Sequence, residues 1–176
     1  MPRARRLVIL VALAVALVVG CGDDDTAGTP AAAGAQEAQT ETTPAELEAR
    51  LKDTSTKPVI EKPTGAAPRK LVKEDIVKGK GKAAGRGDVV KVQYVGVAFS
   101  TGEQFDATWD RGQPYRFRLG TGDVIPGWDR GIVGMREGGR RELIIPPELA
   151  YGAQGSPPDI GPNETLVFVV DLVSVD

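Results

Sequence analysis

The chain has 176 residues, 22 basic against 24 acidic, a formal net charge of -2, no histidine and one cysteine. That length holds one ordinary globular domain with a tail, and so balanced a charge gives no electrostatic reason to expect a nucleic-acid partner. The lack of histidine excludes Ser-His and Cys-His nucleophile systems and most zinc sites, because imidazole is the usual base and metal ligand near neutral pH.

At the N-terminus Arg3, Arg5 and Arg6 precede an apolar run over residues 7–19, which stops at Gly20 and Cys21 before Asp23, Asp24 and Asp25. A charged start, an apolar middle and a small residue are the parts of a secretory signal. A spanning helix needs about 20 apolar residues, so cleavage is expected rather than retention as an anchor. Val18, Val19, Gly20 and Cys21 resemble the lipobox of bacterial lipoproteins. That resemblance implies lipidation of Cys21 and an extracytoplasmic location, lipid-anchored to the outer face of the cytoplasmic membrane. The plainer alternative is an uncleaved signal anchor with an idle cysteine. A lone cysteine forms no intramolecular disulfide. Residues 1–20 are therefore assigned to a lipoprotein signal peptide.

Residues 21–67 are rich in Ala, Thr, Pro and acidic residues, with Leu47, Leu51, Val59 and Ile60 almost the only sizeable apolar side chains. Such a segment buries too little surface to offset its ordering entropy, so a flexible tether is expected. Within it, Thr43, Pro44 and Glu46 read as an N-cap, a first-turn proline and a capping acid ahead of one short helix. Residues 57–62 resemble a lead-in that precedes the domain of related secreted bacterial proteins, which implies that some of it packs on a sheet. The cations Arg69, Lys70, Lys73, Lys78, Lys80, Lys82, Arg86 and Lys91 could meet anionic headgroups. Their spacing favours the solvated face and the glycine-rich turn, 79–87, of a hairpin.

Residues 68–176 form the expected domain. Val90, Val92, Tyr94 and Gly96 alternate with Lys91, Gln93 and Val95, the period of a half-buried strand. Residues 141–145 and 165–173 read as further strands. Residues 127–135 leave room for one short helix with Trp128, Ile132 and Met135 on one face. Glycines at 120, 122, 127, 131, 134, 138 and 139 mark tight turns, positive φ or close helix approach. The architecture implied is α+β, an antiparallel five- to six-stranded sheet curled around one short helix that presents Trp128 to the concave face.

Certain pieces stand in one order: 88–96 with Tyr94; Phe105 followed by Asp106; 114–120 with Tyr115 and Phe117; 124–128 with Val124, Ile125 and Trp128; 131–135; 147–152 with Tyr151; and 162–168 with Phe168. Aromatic and branched side chains converge in them around a single carboxylate, which describes a pocket rather than a set of nucleophiles. Over residues 71–176 the chain resembles the FKBP-type peptidyl-prolyl isomerases, whose fold is the arrangement just inferred.

The resemblance implies that a substrate proline sits on Trp128, walled by Tyr94, Phe105, Tyr115, Val124, Ile125 and Phe168, with Ile160 as an apolar contact from the loop 154–161. It makes the Ile125 N–H and the Tyr151 hydroxyl donors to substrate carbonyls. It also has Asp106 bonded to Tyr94 and facing the substrate. Tyr94, Asp106, Ile125, Trp128 and Tyr151 are thus the expected catalytic set. It implies no cofactor and no metal, X-Pro-containing polypeptides as partners, and macrolides of the tacrolimus type as inhibitors; a monomer is expected. Tyr115 stands where the family more often has Phe, and Ser156 and Asp159 where eukaryotic members carry a histidine and an aliphatic residue.

The chemistry asked of such a pocket is small. Rotation about an X-Pro bond breaks amide resonance over a barrier of about 18–20 kcal/mol, and no bond to carbon is made or broken. An apolar cup disfavours the more charge-separated planar amide relative to the twisted one, which lowers the barrier. Asp106 is costly in such a cup unless hydrogen-bonded, and its role is read as electrostatic and positioning. Core packing is the plain alternative for each aromatic taken singly, and Phe117 fits it, but an Asp beside Phe105 does not. An active isomerase on exported proteins is the leading expectation. A chaperone or proline-segment binder with little turnover is the second, and a lipid-anchored solute receptor, which needs a larger chain, the third.

Overall fold

The computed structural model describes residues 43–176; the expected signal peptide, Cys21 and the first half of the tether lie outside the described residues. Helix α1 (Pro44–Lys52) starts as its sequence predicts, with Glu46 N donating to the Thr43 hydroxyl at 3.4 Å and Thr43 N to the Glu46 carboxylate at 2.9 Å. Composition predicted a leash here, yet this stretch touches the sheet. Arg140 Nη1 and Nη2 donate to the carbonyls of Leu51 and Thr56, both at 2.9 Å. In the expected lead-in, 57–62, Lys57 pairs with Asp110 at 2.6 Å, Pro58 is buried and Ile60 packs on an apolar cluster of the sheet, in agreement with what that resemblance implied.

Six strands form one antiparallel sheet: β1 (Val72–Val77), β2 (Val89–Ala98), β3 (Gln104–Ala107), β4 (Tyr115–Arg118), β5 (Arg140–Ile145) and β6 (Leu166–Val175). Their order is β1-β5-β6-β2-β3, with β4 also on β2. Strand β2 is long enough to take β6 along one side and, on the other, β4 over residues 89–92 and then β3 over 95–97. The short helix α2 (Thr108–Arg111) fills the gap between β3 and β4. There the buried Thr108 hydroxyl accepts from Tyr94 N at 2.8 Å, supplying the partner that a strand would have given.

Residues 79–87 are not the turn of a hairpin. Strand β1 pairs with β5, so these residues cross from the sheet edge to β2 and run against the loop 134–139. Ala84 N donates to Met135 O at 2.8 Å, Gly134 N to Ala84 O at 2.9 Å and Gly81 N to Glu137 O at 3.2 Å. The glycines serve close approach: a Cβ on Gly139 would stand 2.8 Å from Arg136 O.

Helix α3 (Pro126–Gly131) is shorter than the expected 127–135. Gly134, at φ +84°, turns the chain back, so Met135 reaches the core from a turn rather than from the helix face. Trp128 and Ile132 remain on the face that meets the sheet, and Gly131 lets the helix approach β5, where a Cβ would stand 2.8 Å from Leu143 Cδ2. The sheet buries both faces. Tyr94, Phe168 and Val170 belong to the core around Trp128, whereas Val95, Val97 and Val167 pack with Ile60, Phe99, Trp109 and Ile144. Val95, expected on the solvated side of a half-buried strand, is 2 % exposed for that reason.

Candidate functional site

One open cavity of about 630 Å³ lies between the concave face, α3 and the loop 155–161. All ten residues expected to bind substrate line it: Tyr94 from β2, Phe105 and Asp106 from β3, Tyr115 from β4, Val124 and Ile125 ahead of α3, Trp128 on α3, Tyr151 and Ile160 from the loops, and Phe168 from β6. Phe117 does not line it. It is buried behind Tyr115, with ring centroids 5.5 Å apart, and belongs to the core.

The floor is aromatic. Trp128 meets Tyr94 edge-on at 4.8 Å and Phe168 at 5.2 Å, and Phe105 meets Phe168 at 5.4 Å. Each such pair adds about 0.5–1.5 kcal/mol beyond the area it buries, so the rings hold one another in place. Gly96 makes the room: a Cβ there would stand 2.7 Å from both Phe105 Cζ and Phe168 Cε1. The Trp128 indole nitrogen is buried without an acceptor among the described residues.

Polar groups sit at the wall. The Tyr94 hydroxyl donates to Asp106 Oδ2, Arg111 Nη1 pairs with Asp106 Oδ1, and Arg111 Nη2 donates to the Tyr94 hydroxyl oxygen at 3.1 Å. The guanidinium also lies 5.8 Å from the Tyr94 ring centre. Burial first, then the bond to Asp106, pushes the Tyr94 hydroxyl up to about 12. Tyr151 is 41 % exposed and is also raised, by burial and by the nearby Asp106; its hydroxyl meets no protein partner among the described residues. The Ile125 carbonyl caps α3, accepting from Trp128 N at 2.9 Å, while its own N–H meets no acceptor among the described residues.

Two features escaped the sequence. Arg111 was not foreseen; the signal was its place in α2, a turn ended by Gly112 at φ +68°, only a few residues after a carboxylate that needed a partner. The second is Asp123, which lines the pocket beside Asp106 and the Asp159 that the sequence had already placed on its rim loop. Asp123 sits next to Val124 and accepts from Arg118 N at 3.2 Å. The wall was expected to be apolar except at Asp106 and at Asp159 on the loop, and Asp123 adds a further exposed charge.

A family model described as FKBP-type peptidyl-prolyl cis-trans isomerase matches residues 80–173. The chain is 57% identical over 120 residues to an FK506-binding protein of Streptomyces anulatus, covering 68% of this chain and 97% of that one. A probable FK506-binding protein of Corynebacterium glutamicum is 53% identical over 118 residues, covering 67% and 98%. Among solved structures, AtFKBP13 aligns with a TM-score of 0.57 at 39% identity, over 62% of this chain and 96% of that one. FkpA from Escherichia coli aligns at 0.55 and 45% identity, over 60% and 48%. The motif match spans more than half of the chain and falls on the strands and loops that build this cavity, so the chain belongs to the FKBP-type peptidyl-prolyl cis-trans isomerases.

Proposed function

We propose that this isomerase is a lipoprotein that works outside the cytoplasmic membrane on exported polypeptides, seating the proline of an X-Pro bond on Trp128. Tyr94, Phe105, Tyr115, Val124, Ile125, Ile160 and Phe168 wall the ring. The Ile125 N–H and the Tyr151 hydroxyl donate to the substrate carbonyls on either side of it. Asp106, bridged by Tyr94 and Arg111, orients the site and gives its wall a fixed dipole. The observation that carries the site part of this reading is the gathering of all ten residues around one open hollow with two donors, the Ile125 N–H and the Tyr151 hydroxyl, that meet no partner among the described residues.

Catalysis on this reading is the replacement of water by an apolar cup in which the twisted amide costs less than it does in solvent, relative to the planar form. Each tenfold in rate needs about 1.4 kcal/mol of such preference, which a dry aromatic floor can provide without proton transfer. Tacrolimus-type macrolides are expected to compete for the same cavity, since relatives are named for binding FK506. Cys21 carries the lipid, and the chain acts as a monomer.

NMR exchange on an X-Pro peptide tests the enzyme site. Wild type accelerates exchange, Trp128→Ala loses most of the acceleration while keeping its fold by circular dichroism, and a wild type no faster than buffer overturns the site reading. Metabolic labelling with palmitate tests the anchor: label on the full chain and none on Cys21→Ser is expected, and equal label on both rejects it.

A further inference from the structure

Asp159 places a charge at the rim of a site whose floor is aromatic. It lies near the tip of a loop closed by two hydrogen bonds, Ser156 N to Ile160 O at 2.9 Å and Ile160 N to Ser156 O at 3.0 Å. Gly155, at φ +65°, permits the closure, because a Cβ there would stand 2.5 Å from the carbonyl oxygens of both Ile160 and Gly161. Pro157 and Pro158 restrict the backbone within it. Ile160, 5 % exposed, is thereby turned into the wall, and Asp159 stays exposed beside it. The backbone that carries this charge is already in place when a ligand arrives, so only the short side chain has to order.

The electrostatic balance of the hollow is one-sided. Asp106, Asp123 and Asp159 line it, only Asp106 carries a guanidinium, and the lining contains no Lys or Arg. A second groove shares Phe105 and Asp159 with the cavity, adds Glu103 and Glu164, and again has no Lys or Arg in its lining. Ser100 donates to both Glu164 oxygens, at 3.0 Å and 2.7 Å, which fixes that carboxylate without cancelling its charge. Lys62 passes its Cβ and Cγ beside Gly102 but lines neither hollow. A polypeptide whose proline fills the cavity has to carry the neighbouring residue across this rim.

We propose that Asp159, supported by Asp123, makes the enzyme selective for prolines flanked by lysine or arginine, the basic side chain passing Phe105 into the acidic groove. This rests on the cavity being the X-Pro site. Attraction between exposed charges is modest and screened by salt, so the preference is a matter of several-fold rather than of orders of magnitude.

The test uses the full chain and matched peptides that differ only in Lys, Leu or Glu on one or the other side of the proline. At low salt, kcat/KM for the best-placed Lys exceeds that for Glu by about fivefold, the scale of one to two exposed charge pairs. At about 1 M salt, where the screening length falls to about 3 Å, the ratio collapses toward one. Asp159→Asn lowers the low-salt ratio, and Asp159→Lys inverts it. Equal kcat/KM for Lys and Glu on both sides in wild type, or a ratio unmoved by Asp159→Lys, overturns the proposal while leaving the isomerase site intact. Absence of turnover on every peptide by a folded chain overturns the site reading and the selectivity together.

Discussion

Asp106 interrupts an otherwise apolar wall, and its two neighbours explain why it is tolerated. Tyr94 donates to one oxygen and Arg111 pairs with the other, so the carboxylate is satisfied before any substrate arrives. A group in that state is poised to orient and polarise, not to exchange a proton. Asp106→Asn keeps the shape and an acceptor oxygen, and the expected loss in kcat/KM is under about tenfold, well short of the 10²–10⁴ that a proton-transfer group supplies. A loss of that larger size in a folded variant would make Asp106 a general acid. Tyr94 gives a second, independent handle. Its hydroxyl is raised from 10.0 to about 12, mainly by burial and then by its bond to Asp106. The folded chain therefore keeps this proton at a pH where the unfolded chain has lost it. The stability so gained is full below 10.0 and is lost as pH rises through about 12. Urea midpoints of wild type are expected to drop across that interval by more than those of Tyr94→Phe, which has no such proton to hold. That the aromatic set and Asp106 line one cavity was legible in the sequence because their ordered pieces resemble those of the family, which implies a shared pocket. Arg111 was not, since its role depends on one turn of helix bringing a nearby cation back over Tyr94.

Strand β2 shows where local pattern stops being informative. Its first half alternates as a half-buried strand does, and its second half is buried on both faces because Ile60, Phe99 and Trp109 cover the side that should have met water. Period-2 reading cannot see a cover that comes from elsewhere in the chain. The same is true of β1, whose partner is β5 rather than its neighbour in sequence, so the glycines of 79–87 looked like a hairpin turn and are a crossover. Arg140 links these elements. It is fully buried, pairs with Asp171 through Nε at 2.5 Å and Nη2 at 2.8 Å, and spends its remaining donors on the end of α1 and on Thr56. Burial pushes the Asp171 carboxyl up, against the pull of Arg140, so that carboxylate depends on its partner. Arg140→Met strands it, and an unfolding free energy lower by about 3–5 kcal/mol is expected. Arg140→Met with Asp171→Leu should recover most of that, because no unpaired charge then remains buried. Amide exchange over residues 47–57 rises in both variants if Arg140 is what holds the segment. Protection that survives in the double variant would assign the docking to Lys57, Pro58 and Ile60 instead.

The two faces of the sheet divide the work of the protein. The concave face with α3 builds the cavity, and the other face carries the covering segment. No residue of 43–62 lines the cavity, whereas Ile60 lies on the Val95, Val97 and Val167 cluster that backs the strands from which Tyr94, Asp106 and Phe168 project. Removing residues 1–62 is therefore expected to act on stability and not on chemistry. Burial of one aliphatic side chain contributes roughly 1.5–3 kcal/mol, and the truncation also bares Val95, Val97 and Ile144 and opens Arg140 to water. Water can satisfy the guanidinium donors once Leu51 and Thr56 leave, which keeps this loss below that of stranding Asp171. The unfolding free energy should fall by about 2–4 kcal/mol, while kcat/KM on a short X-Pro peptide stays close to that of the full chain at a temperature where both are folded. If turnover falls with stability held, by ligand or by temperature, the covering segment would be setting the position of β2 and β6 and hence the shape of the aromatic floor. The selectivity assigned to Asp159 separates the cases further in a chain that begins at Lys62 and so keeps that cation beside Gly102: no hydrogen bond joins the 155–161 loop to residues 43–61, so loosening the far face alone leaves the Lys to Glu ratio unchanged.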